Sequence, residues 1–151
     1  MEVKDLFDPI VKQEIIDRIN KLTSQTQRQW GKMNVSQMLS HLQGPVAIAI
    51  SDKKLNRTFM GLVFGTMAKK KVLSEKPFEQ SLPTDPSLIR KGEHQFEEER
   101  SKLITLLNRL ISGGEAGLTK FPHPFFGKLT NADWGLLLWK HFDHHLRQFG
   151  V

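Results

Sequence analysis

Thr130 to Gly150 reads TNADWGLLLWKHFDHHLRQFG, and the spacing within this stretch decides the fold class. Thr130 followed three positions later by Asp133 is a capping-box pair that opens a helix, and Gly150 closes it. Between them Trp134, Leu137, Leu138 and Phe149 recur at the spacing of one helical face. His141 and His145 are four apart, so at about 100° per residue they point to the same side as those apolar residues. His144 falls with Asp133, Lys140, Asp143 and Arg147, on the face expected to meet water.

Outward from this helix, the same period recurs and no segment alternates as a strand would. A first helix opens at Asp8 as N-cap, with Pro9 in the first helical position. Its expected apolar stripe is Ile10, Ile15, Ile16, Ile19 and Leu22. A second helix starts near Asn34, whose side chain can pair with Gln37, and runs through Met38, Leu39, Leu42, Val46 and Ile50. Pro45 inside it collides with the carbonyl of His41, so a kink is expected there. Leu55 to Met67 reads as a short, very apolar helix containing Gly61 and Gly65, and the stretch from Lys69 to Pro86 as a long connection.

A third major helix is expected from about Ser87 to Ile111, with Ile89, Phe96, Leu103, Ile104, Leu107 and Leu110 inward and Gly113-Gly114 as its stop. Its acidic run, Glu97-Glu98-Glu99, and the neighbouring His94 read as a solvated face. Leu118 to Leu129, LTKFPHPFFGKL, is a proline-broken aromatic loop in which His123 is expected to sit in a packed turn or at a pocket mouth. Four long amphipathic helices around one core imply a single all-α bundle domain over residues 1–151.

Composition narrows the function classes. The chain has 151 residues, 38% hydrophobic and 25% charged, which is the make-up of one soluble globular domain. Cysteine is absent, so disulfides, thiolate metal sites and cysteine nucleophiles are all ruled out. Any metal has to be held by His, Asp or Glu. Met1 to Ile16 has neither an apolar core nor a small-residue cleavage site, so a cytoplasmic protein without a signal peptide is expected. The longest apolar run, Phe59 to Met67, is far short of the roughly 20 residues of a membrane span, and no membrane partner is expected. The net charge is +6, but the basic residues are scattered apart from Lys69-Lys70-Lys71, so no nucleic-acid partner is expected.

Of the six histidines, His141 and His145 form an i, i+4 pair that can chelate one cation. Taken alone, such a pair is as compatible with two hydrogen-bonded core histidines. His41, among Met38, Leu42, Pro45 and Ile48, supplies a third ring on an apolar stripe. Three neutral imidazoles buried without a metal each need a separate partner, whereas one divalent cation satisfies a nitrogen of each. A three-histidine set also leaves coordination positions open, as catalytic rather than structural metals do. Zinc, nickel, manganese and iron all suit such ligands.

With these residues placed, the chain resembles the DinB/YfiT-like superfamily, and most closely a DinB-like family of uncharacterised proteins. The resemblance covers nearly the whole chain. It is carried by Trp30-Gly31-Lys32-Met33 leading into Gln37-Met38-Leu39-Ser40-His41, by His123 to Thr130, by Trp134-Gly135, and by the closing Lys140 to Gly150. It implies a four-helix bundle with a short extra helix in the crossover, frequently dimeric, and a divalent metal on His41, His141 and His145. Gln148 matches a glutamine that follows the last ligand in the superfamily. Gln148, His123 and Trp134 are the residues expected to orient the ligands or line the pocket.

Characterised members of that superfamily include thiol S-transferases and a thiol-dependent isomerase, and others are described as metal-dependent hydrolases. The resemblance therefore implies a metal-dependent enzyme acting on a small-molecule substrate, in which a bound water or a low-molecular-weight thiol becomes the nucleophile. The alternative from a different class is a non-catalytic metal-binding or structural helical-bundle dimer.

Overall fold

The computed structural model describes residues 4–80 and 86–151. It contains five α-helices: α1 (Pro9–Lys21), α2 (Val35–Ala49), α3 (Phe59–Val72), α4 (Phe96–Gly113) and α5 (Asn131–Gln148). Two single 3₁₀ turns, Pro86–Leu88 and Glu115–Gly117, lie between them, and no strand occurs among the described residues. Residues 81–85, inside the long connection expected from Lys69 to Pro86, lie outside the described residues.

The helix starts follow local chemistry. Asp8 accepts from the Ile10 amide at 2.8 Å ahead of Pro9. Asn34 with Gln37, and Thr130 with Asp133, form reciprocal capping boxes. α2 continues through Pro45 to Ala49.

Helices α1, α2, α4 and α5 pack on one another, α2 against α4 and α5, and α1 against the same two. Their shared core includes Ile15, Ile19, Leu39, Leu42, Leu103, Leu107, Trp134 and Leu138, all buried. Two expected core residues are not in it. Ile10 is 80% exposed; the stripe of α1 is instead Val11, Ile15 and Ile19, one residue every four, and Ile10 stands about 100° or more away from it. Ile89 is also exposed, because α4 begins at Phe96 rather than Ser87. Gly92, at φ 81°, lies in the left-handed region that no helix uses.

Glu99 is a second correction on α4. Rather than joining a wet acidic run it is buried, three after Phe96 and four before Leu103, squarely within the apolar spacing. It accepts from Gln43 Nε2 at 2.6 Å and faces His94 Nδ1 at 3.3 Å, so His94 is half-buried as well. Burial alone would raise the Glu99 pKa, but the hydrogen bonds from Gln43 and His94 hold it below its ordinary value.

α3 differs from the helix expected at Leu55 to Met67. Thr58 caps it, accepting from Gly61 N at 3.0 Å, and the lysine triplet extends it to Val72. Its buried residues are Gly61 and Gly65, both facing the backbone carbonyl of Phe125. A Cβ at Gly61 would stand 2.6 Å from that oxygen, and one at Gly65 would meet it too. Gly65→Ala is therefore expected to destabilise the protein by roughly 1–3 kcal/mol through overpacking. Gly113→Ala, where a Cβ meets nothing within 4 Å, is expected to stabilise it by about 0.4–1 kcal/mol. Urea denaturation of the two variants checks both signs.

Candidate metal centre

Three histidines converge where α2 faces α5. The ligand-capable nitrogens of His41, His141 and His145 all lie within 4.8 Å of one another. The rings are mutually steep, at 71–79°, with centroids 4.7–4.9 Å apart. His41 Nε2 and His141 Nε2 are 3.0 Å apart. Two imidazole nitrogens on one tetrahedral cation stand about 3.4 Å apart, given metal–nitrogen bonds of about 2.1 Å. The pair thus needs to open by only a few tenths of an ångström to share an ion.

The surrounding groups fix which nitrogen each ring presents. His41 Nδ1 is 2.9 Å from the carbonyl oxygen of Leu88. A carbonyl only accepts, so Nδ1 carries the proton and Nε2 turns its lone pair toward the other histidines. Gln148 Nε2 donates to the carbonyl of Trp30 at 2.8 Å, which orients the amide so that Oε1 faces His145 Nδ1 at 2.9 Å. His145 therefore donates from Nδ1 and also keeps Nε2 free. Gln148 is buried, and the positive-φ Gly31 leaves room for it: a Cβ there would strike Gln148 Nε2.

Burial also sets the charge. His145 is lowered to about 3, by burial first and then by His41, with the Gln148 bond opposing. His141 is held well below its ordinary value by burial and by the three neighbouring histidines. His41 is lowered by burial, against the bond to Leu88, with Arg90 adding to the shift. All three are neutral at pH 7, the form that binds a metal.

These shifts have a definite sign for stability. In the metal-free protein the unfolded chain takes up protons below about pH 6.5 while the folded site does not, so stability is full above that value and declines as the pH falls toward 3. The expected slope is about 1.4 kcal/mol per pH unit for each such histidine. Urea midpoints of chelator-treated protein at pH 7 and pH 5 measure it; equal midpoints would show that the histidines are not held neutral.

His144 departs from the expectation that it faces water. It is buried, edge-on to Trp30 at 5.9 Å and to His145 at 5.0 Å, with Phe78 at 5.9 Å on another side. Lys140, assigned to the same wet face, is buried too, and donates to the carbonyls of Val72 and Ser74 at 2.6 and 2.7 Å beside the Phe78 ring. The face that helical spacing marks as polar is covered by the segment after α3 and by the loop around Trp30. No periodicity within α5 can report that cover. The indole Nε1 of Trp30 is buried without a hydrogen-bond partner among the described residues.

His123 and Trp134 are placed together, 5.5 Å apart. Nδ1 of His123 accepts from the amides of Phe125 and Phe126, closing the turn that pairs His123 with Gly127. Trp134 is a core residue. The bonds that orient the cluster come from Leu88, Gln148 and Trp30, and of these three spacing and resemblance together marked only Gln148 for that role.

The three histidines and their orienting glutamine all fall within residues 11–150, which a family model described as "Protein of unknown function (DUF1569)" matches. No curated protein and no solved structure matches the chain.

Proposed function

The chain belongs to the DUF1569 family of proteins of unknown function, and we propose that it is a metal-dependent enzyme of the DinB-like superfamily, built as a four-helix bundle with a kinked second helix. The observation that carries this reading is the convergence of His41, His141 and His145 with two of the three rings already locked in the metal-binding tautomer. These three residues would hold a divalent cation, which when bound supplies Lewis acidity and a lowered pKa for a water or thiol at an open position.

The chain's own groups do the rest. Leu88 and Gln148 hold two rings in place, so little reorganisation accompanies ion capture. Trp30, Phe78 and His144 shield one flank from water, and His141 remains partly exposed on another, where a small-molecule substrate can enter. The buried carboxylate of Glu99 is engaged by Gln43 and His94, away from the cluster's hydrogen bonds. Water attack ordinarily calls for such a base. A thiol is intrinsically far more acidic than water and would release its proton to solvent near neutral pH with less help, which favours thiol transfer over hydrolysis.

Elemental analysis of untagged protein, followed by a screen of low-molecular-weight thiols against electrophilic acceptors, tests this. Thiol conjugation that disappears on chelation and returns with metal is the expected result. Metal-loaded protein that transfers no thiol and hydrolyses no ester, amide or phosphoester would leave a non-catalytic metal-binding domain.

A further inference from the structure

The surface of α3 departs from every other helix. Phe59, Met60, Leu62, Val63, Phe64 and Met67 are all between 42% and 77% exposed. At about 100° per residue they sweep roughly 200° of the helix, centred opposite Gly61 and Gly65. The two glycines take the inner side against Phe125, so their four-residue spacing is already used within the chain and is not a free helix-pairing stripe. A contiguous apolar surface of this kind on a soluble domain marks an interaction site.

Charge decides the occupant. From Lys53 to Ser74 the chain has six basic residues and no acidic one. Lys53 and Lys54 precede the apolar face and are exposed, and Lys70 follows it, on the same side and exposed. Arg57 is turned to the Pro124 and Gly61 carbonyls, and Lys69 and Lys71 are paired with Asp133 and Glu79. Both ends of the patch are therefore basic. A second copy laid on this face, parallel or antiparallel, sets lysines against lysines on molecules that each carry +6. An anionic lipid surface meets both ends with opposite charge and takes Phe, Met, Leu and Val between them. Base edges and phosphates offer no such apolar counterpart.

We propose that α3 is a membrane-surface helix, which lies in the headgroup region of an anionic bilayer with its apolar face inserted and Lys53, Lys54 and Lys70 on the headgroups. No helix among the described residues is long and apolar enough to cross a membrane, and lying in the surface requires no such length. The proposal stands on α3 alone and is independent of the histidine site.

Flotation of the whole chain with vesicles tests it. Binding is expected to equimolar phosphatidylcholine and phosphatidylserine and to weaken as salt rises, with little binding to phosphatidylcholine alone. Neutralising the three lysines as Lys53→Gln/Lys54→Gln/Lys70→Gln is expected to weaken binding about a hundred-fold. The exposed-face variant Phe59→Ser/Leu62→Ser/Met67→Ser is expected to abolish it while leaving helical circular dichroism and metal content unchanged. Absence of binding to the anionic vesicles, equal binding to both compositions, or a dimer that the serine variant dissociates in protein that ignores vesicles would each overturn the proposal.

Discussion

Replacing any one of His41, His141 or His145 by Ala is expected to lower divalent-metal affinity by more than about a hundred-fold, beyond the 10–100-fold typical of losing an orienting group. Each ring supplies one nitrogen to a cluster only 4.8 Å across. Among the described residues no other group of three or more His, Asp or Glu is placed to hold an ion. The fold should tolerate the changes at neutral pH, because the rings are neutral there and their removal strands no buried charge. Metal content after dialysis, with circular dichroism as the control for folding, measures the effect. A triple variant that kept both metal content and stability unchanged would end the site assignment.

The second large effect is expected at Gln148. Its amide joins His145 Nδ1 to the Trp30 carbonyl, at 2.9 and 2.8 Å, from a buried position at the end of α5. Gln148→Leu keeps the volume and removes both bonds. His145 is then free to turn, and metal affinity should fall about 10–100-fold with the ligands all intact. Stability should fall as well, because the buried His145 Nδ1 donor loses its partner at about 1–3 kcal/mol and the half-buried Trp30 carbonyl loses one too. Titration with metal separates the two effects: a purely structural role would lower the urea midpoint and leave affinity in the surviving folded protein unchanged.

Much of this was legible in the residues. Helical spacing and the capping pairs Asn34–Gln37 and Thr130–Asp133 located α2 and α5, and inward spacing selected the histidines that meet. What spacing reports is which side of a helix is apolar, and it fails where something other than a helix covers the polar side. His144 and Lys140 are buried by connecting segments that carry no period. The reverse failure is α3, whose large apolar residues suggest burial while only its glycines achieve it, because close approach to the Phe125 carbonyl admits no side chain. Glu99 could have been found, since it occupies a stripe position that its charge alone argued against.

X-ray absorption spectroscopy of the metal-loaded chain reads the ligand set itself. Scattering from three imidazole rings is expected, with metal–nitrogen distances of about 2.0–2.1 Å, falling to two rings in His141→Ala reconstituted with excess metal. A first shell of oxygen alone, or a single imidazole in the unaltered protein, would contradict it.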